Sequence, residues 1–333
     1  MNDLAYSGIN TTVRILEQQL LSKDIMNSLL ASKDLQQALE VLQKTAYDFQ
    51  ADELLQTKQF DAVLMKHLKK QYEELYELMP TPELFDIFSI RYTYHNLKVL
   101  LKEKFTKKDF SHLLIPIGRY SLASLKQLVE TRDSQDVPNV MVTAVREAYE
   151  DFENFERLET ADVFMDTYYF KHLRMLERQL QDEKVTEFVN LMIDLENIAT
   201  LIRASAQKQS RSFLQTVLSN EGTVSKTQLI DTFQELGWAS LLQLFDGVSY
   251  KEELESILSQ ENISVLKLEL LKDECIYRYL KDATFDAFGP YPSLAYIHAS
   301  EMEVKNIRLI LVGIDNGFSE EQLRERMRPV YGS

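Results

Sequence analysis

Two acid–amide pairs sit at the same helical spacing in this chain, Asp194 with Asn197 and Glu303 with Asn306; a third asparagine, Asn96, follows Thr93. Side chains three apart on a helix share a face, so each pair can hydrogen-bond one target, help hold a cation, or tie down a neighbouring segment. Catalytic proton transfer would need a positioned base, and the five histidines, His67, His95, His112, His172 and His298, are scattered. Asp109-Phe110-Ser111-His112 is the only stretch with an acid three residues ahead of a histidine, whereas a di-iron carboxylate bundle needs two Glu-x-x-His pairs on facing helices. The chain has no GxxxxGK[ST] phosphate loop, no GxGxxG, no GxSxG and no HExxH, the spacings that nucleotide, dinucleotide, acyl-transfer and zinc chemistry require. The lone Cys275 excludes an internal disulfide and a cysteine-based zinc site. No catalytic, cofactor-binding or metal-binding residue is therefore expected.

The asparagines lie in a repeated box of helical character, Thr93–Leu101, Asp194–Ile202 and Glu303–Leu311, and are 101 and 109 residues apart. With Asn as zero and about 100° per residue, positions −6, −2, +1, +4 and +5 form one apolar arc. They are Ile90, Tyr94, Leu97, Leu100 and Leu101 in the first box, and Leu191, Leu195, Ile198, Leu201 and Ile202 in the second. Position −3 (Thr93, Asp194 or Glu303) falls inside that arc. A carboxylate there must be hydrogen-bonded or paired, because an isolated buried charge is very costly. Asp194 and Glu303 are thus expected to be buried and partnered. Two readings stand side by side: acid and Asn tie the box helix to a neighbour, or they face a partner on the axis of a symmetric body.

Helices dominate the expectation. Gly and Pro number only 9 and 7 in 333 residues, too few breakers for a turn-rich sheet protein. Thr81 and Pro82 read as N-cap and first position of the first box helix, Asp182 opens the second, and Gly289–Ser293 opens the third with Ser293 as cap. Each box helix should run roughly 20–24 residues, about 30–36 Å. Helices are expected before the boxes at Ala62–Leu78, Tyr168–Leu180 and Lys267–Phe285. After them, Gly118, Gly222 and Gly317 read as C-caps, and Ser121, Ser225 and Ser319 as N-caps of the next helix. Trp238 reads as a core anchor and Cys275 as a buried small residue. The expected fold is all-α, with three helical repeats near 1–115, 116–217 and 218–333 in one pseudo-threefold body.

A net charge of −15 argues against nucleic acid and against adsorption to an anionic membrane surface. No apolar run approaches the 18 or so residues of a spanning helix, and the first ten residues carry no signal-peptide pattern. Basic residues follow the boxes (Lys98, Lys102, Lys104, Lys107 and Lys108; Arg203, Lys208 and Arg211; Lys305, Arg308, Arg324, Arg326 and Arg328). They form either a positive rim or ordinary solvated helix faces.

Asp194-x-x-Asn197-Ile198-x-x-Leu201-Ile202-Arg203, the Gly289-Pro290-Tyr291-Pro292 turn and Glu301-x-Glu303-x-x-Asn306-Ile307-Arg308 together resemble the C subunit of archaeal and bacterial V-type (A-type) rotary ATPases, called d in eukaryotes. The likeness covers the whole chain; the first box departs from it, with Thr93 and His95 where acids would be expected. The resemblance implies a funnel of three pseudo-symmetric helical units. One copy would seat peripherally on the membrane proteolipid ring, at its cytoplasmic face, without inserting, and would receive the central shaft, the D and F subunits. It would be non-catalytic, passing torque so that ATP hydrolysis drives protons or sodium. Asn96, Asp194, Asn197, Arg203, Tyr291, Glu301, Glu303, Asn306 and Arg308 are the structural or partner-interface candidates. The alternative is a helical scaffold or tether unrelated to rotation.

Overall fold

The computed structural model describes residues 3–47, 49–281, 286 and 288–331. Its α-helices are, in chain order, α1 (Ser7–Leu16), α2 (Lys23–Leu30), α3 (Leu35–Leu42), α4 (Ala51–Thr57), α5 (Phe60–Leu78), α6 (Glu83–Thr106), α7 (Leu122–Thr131), α8 (Asn139–Phe155), α9 (Glu159–Leu180), α10 (Glu183–Ala206), α11 (Arg211–Val217), α12 (Lys226–Leu236), α13 (Trp238–Leu241), α14 (Lys251–Leu258), α15 (Val265–Lys281), α16 (Tyr291–Asp315) and α17 (Glu320–Arg324). No strand occurs among the described residues. The fold is all-α, as composition and box periodicity require.

The chain divides into two compact units, 1–82 with 273–333, and 83–272. In the first, α16 is the central helix, and α5, α1 and α3 pack against it. In the second, α6 lies on α9, which also packs against α8, α10 and α11, while α7 and α8 touch α6. The three box helices are α6, α10 and α16, of 24, 24 and 25 residues. Every arc residue of the first two is buried. So are residues outside the arc, such as Phe88, Val99, Ile193 and Ala199. These helices are enclosed on nearly all sides, which a single amphipathic stripe does not signal.

Several helix ends follow the expected capping chemistry. Ser121 Oγ accepts from Ser124 N at 3.0 Å and Asp182 Oδ1 from Lys184 N at 3.0 Å. Ser225 and Ser319 each form a capping box with the glutamine three residues on, Gln228 and Gln322. Other ends differ. α6 starts at Glu83, and Thr81 Oγ1 instead accepts from the Tyr6 hydroxyl at 2.8 Å. Ser293 lies inside α16 and is fully buried, donating to Asn10 Oδ1 at 3.3 Å; Tyr291 is the first helical residue. The helices before the boxes are α5, α9 and α15; residues 282–285, which the third expected helix included, lie outside the described residues.

Gly118 and Gly222 are not C-caps of the box helices. Lys107 and Lys208 take that place in the left-handed region, at φ 56° and 53°, and Gly317 does so at 75°. All three are eleven residues past their asparagine. Each of the three box helices thus stops at one register, in two cases on a lysine that composition cannot flag as a stop signal. Trp238 is half-buried rather than a core anchor; its ring lies 4.4 Å from that of Phe233, centroid to centroid. Cys275 is buried.

Candidate functional site

Each box asparagine makes the same two hydrogen bonds, both to one residue of the segment that follows its helix. Asn96 Nδ2 donates to the Ile115 carbonyl at 2.7 Å, and its Oδ1 accepts from Ile115 N at 2.8 Å. Asn197 grips Ser219 in the same way at 3.0 and 2.9 Å, and Asn306 grips Arg328 at 3.1 and 2.9 Å. A carboxamide offers one donor face and one acceptor, like a peptide group. It therefore pairs with a residue's N–H and C=O as a neighbouring strand would, where the described residues contain no sheet. All three asparagines are nearly or fully buried. The residues they grip are buried at Ser219 and half-buried at Ile115 and Arg328, so an unpaired backbone group there would carry a desolvation cost, largest at Ser219.

Position −3 varies in what it binds. Thr93 Oγ1 lies against Gly118, where an added Cβ would sit 3.2 Å from it and the backbone φ is +118°. Asp194 accepts from Thr223 N at 2.8 Å and from the Thr223 hydroxyl at 2.5 Å. A Cβ on the neighbouring Gly222 would overlap Asp194 Oδ1, so glycine is the residue that lets the backbone reach the carboxylate. Burial raises the Asp194 pKa above its ordinary value, opposed by the Thr223 hydrogen bonds and by Arg174. Glu303, one methylene longer, turns to the N-terminal segments: it accepts from Leu21 N and from the Tyr47 hydroxyl, the latter at 2.9 Å. Burial pushes its pKa up to about 7, against the pull of those two donors. Both carboxylates are buried and hydrogen-bonded, as their phase in the arc requires.

Glu301 is also buried and accepts from the Tyr72 hydroxyl at 2.8 Å. Six of the nine candidate residues, Asn96, Asp194, Asn197, Glu301, Glu303 and Asn306, are thus enclosed and bonded to their own chain. Their geometry is that of ties between a box helix and neighbouring segments. Arg203 stays exposed beside Glu196 at 2.8 Å, Arg308 pairs with Asp61, and Tyr291 is half-buried.

A second set of residues, not singled out by the box pattern, registers each box helix against another helix. Lys98 and Lys102 of α6 pair with Asp166 and Asp162 of α9, at 2.5 and 2.8 Å. Glu196 of α10 accepts from Lys272 of α15 at 3.4 Å, and Arg308 of α16 pairs with Asp61 of α5. Lys305 and Arg328 share the buried Asp273, each at 3.0 Å. Lys104 and Arg211 are matched by Glu130 and Asp231. Most of the basic residues after the boxes are therefore neutralised by acids on adjoining elements and do not make a positive rim. The usable signal was charge at fixed box offsets: Lys98 and Arg308 both stand two residues past their asparagine.

Among the described residues no group of three His, Cys, Asp or Glu side chains is placed to hold a metal ion, and no helix is long and apolar enough to cross a membrane. The polar groups on the box helices are engaged by their own chain and tie each box helix to a neighbouring segment. The family model described as ATP synthase (C/AC39) subunit matches residues 9–326, and the chain belongs to that family. It is 36% identical over 328 residues to the C subunit of the V-type sodium ATPase of Enterococcus hirae, covering 98% of this chain and 99% of that one. It is 24% identical to the C subunit of the A-type ATP synthase of Methanocaldococcus jannaschii, over 97% of this chain and 86% of that one. It is also 24% identical to its counterpart in Pyrococcus abyssi, over 96% and 89%. Members of this family are non-catalytic subunits of V/A-type rotary ATPases and peripheral parts of a membrane complex.

Proposed function

We propose that this chain is the rotor component that joins the central shaft, made of the D and F subunits, to the membrane proteolipid ring, one copy per complex. Torque from ATP hydrolysis in the catalytic head then passes through it to the ring, which selects protons or sodium. The observation that carries this reading is the order in which box helices find partners. α6 packs on α9, the helix before the second box. α10 pairs through Glu196 with Lys272 of α15, the helix before the third. α16 packs on α5, the helix before the first. Each box meets the pre-box helix of the next repeat, and the third returns to the first. That order, with the common asparagine clamps and common helix stops, supports three equivalent repeats, each built of a pre-box helix and a box helix. With net charge −15, seating on the ring rests on protein contacts rather than lipid attraction.

The test is reconstitution with and without this chain. Its omission leaves ATP hydrolysis by the detached head intact and abolishes ATP-driven ion transport in vesicles. Coupled transport that survives complete removal overturns the proposal and favours a tether.

A further inference from the structure

We propose that the trough between α4 and α5 is a docking surface for an acidic, amphipathic helical segment of a partner protein; this rests on the reading of the chain as a component of an assembly. The cavity measures about 680 Å³ and is walled by Glu53 and Leu54 on one side and by Val63, Lys66, His67 and Lys70 on the other. It follows α5 from Gln59 to Glu73, a length of about 21 Å at 1.5 Å per residue, which suits a helix of roughly fourteen residues. Ala46 and Gln50, ahead of α4, complete its lining. Partly open to solvent, it would leave a small molecule largely wet, unlike ligands in ordinary pockets.

Charge names the partner. Lys66 and Lys70 are exposed, one helical turn apart, and neither makes an ion pair among the described residues, although like charges at that spacing repel. Lys69, on the same wall, pairs with Glu73 at 3.2 Å. Elsewhere Lys98, Lys102 and Arg308 of the box helices are matched by acids on adjoining helices. On a chain of net charge −15, two unmatched lysines beside a cavity favour an anionic visitor that the rest of the surface repels. Leu54 and Val63 supply apolar contact between the charged rims, so the visitor needs an apolar stripe as well. His67 adds no cation at neutral pH: burial and Lys70 lower its pKa to about 4.

The probe is a labelled fourteen-residue helical peptide with leucines at 3–4 spacing and glutamates elsewhere, titrated into the full chain by fluorescence anisotropy. Binding is expected at low salt, with at least about tenfold loss on Lys66→Glu/Lys70→Glu and on added salt. Ala62→Trp, which fills the trough while leaving both lysine charges in place, should block it too. The counterpart peptide with lysines in place of glutamates should not bind. Equal binding to the charge-reversed chain, or displacement by inorganic phosphate alone, overturns the proposal, the second outcome indicating a small-anion site. Co-purification of the wild-type chain with shaft and ring subunits is scored separately. If the chain assembles but the peptide ignores the trough, this surface fails and the rotor reading stands; if it does not assemble, the rotor reading itself fails.

Discussion

Asn306 and Arg328 are bonded twice, side-chain amide to backbone, and Arg328 then turns its guanidinium onto the buried Asp273. One residue near the C-terminal end is thereby fixed both to α16 and to α15. The same amide geometry recurs at Asn96 with Ile115 and at Asn197 with Ser219. The repeat is therefore a repeat of a bonding task and not only of an apolar pattern.

A shared clamp predicts a loss at all three sites. Asn96→Ala, Asn197→Ala and Asn306→Ala each strand one N–H and one C=O, at a cost of roughly 2–4 kcal/mol at the buried Ser219 and about 1–2 kcal/mol at the half-buried Ile115 and Arg328. Asn→Asp loses the donor and buries a charge, so it should cost at least as much. Urea denaturation of the three alanine variants checks this. One site costing nothing measurable would break the equivalence.

Helix stops give a prediction of opposite sign. Lys107 and Lys208 occupy the left-handed region that Gly317 occupies in the third repeat. A non-glycine residue there is disfavoured by about 1–2 kcal/mol, partly offset by the extra unfolded-state freedom of glycine. Lys107→Gly and Lys208→Gly should each stabilise the chain by about 0.5 kcal/mol, and Gly317→Lys should destabilise it. Thermal melts of the three variants decide.

Much of this was legible from residue types and spacing. The box phase placed Asp194 and Glu303 inside, and Ser121, Asp182, Ser225 and Ser319 cap as their positions imply. The clamps' targets were not legible, because Ile115, Ser219 and Arg328 are held by backbone atoms that every residue carries. Ser293 misled because a serine near Gly-Pro reads as a cap, whereas here it packs against Asn10. Trp238 misled because size alone suggested a core anchor, while the turn at Gly237 leaves it half-buried beside Phe233.

Glu303 makes stability depend on pH. Its folded pKa is raised by burial to about 7 from an ordinary 4.5, so the neutral form is favoured in the fold. The stabilisation is full below about 4.5 and is lost as pH rises through about 7, amounting to about 3 kcal/mol. His67, His172 and His298, held near 4 by burial, act in the opposite direction, since their stabilisation is lost as pH falls below about 6.5. Comparison with Glu303→Gln isolates the acid, because Gln can still accept from Leu21 and donate to the Tyr47 oxygen. Between pH 5 and 8 the variant should gain on the wild type; parallel curves would rule out a shifted Glu303.

The last prediction concerns the order in which box helices choose partners. At two seams the cation is on the box helix and the acid on its partner, Lys98 with Asp166 and Arg308 with Asp61. At the middle seam the polarity is reversed: Glu196 is on α10 and Lys272 on α15. Burial alone would raise the Glu196 pKa, but Lys272 and Arg203 hold it below the ordinary value. A carboxylate with a depressed pKa stabilises above its unfolded value and loses that contribution as pH falls. Such partly exposed pairs contribute about 0.5–1 kcal/mol, too little to hold a seam but enough to disfavour a wrong one. Glu196→Lys and Lys272→Glu should therefore each destabilise, and the double swap should recover part of the loss, with a coupling of about 0.5–1 kcal/mol near neutral pH. That coupling should fade at acid pH, as Glu196 takes up its proton. A double-mutant cycle by urea denaturation at the two pH values measures it. Additive losses at both would mean that packing alone sets the seam.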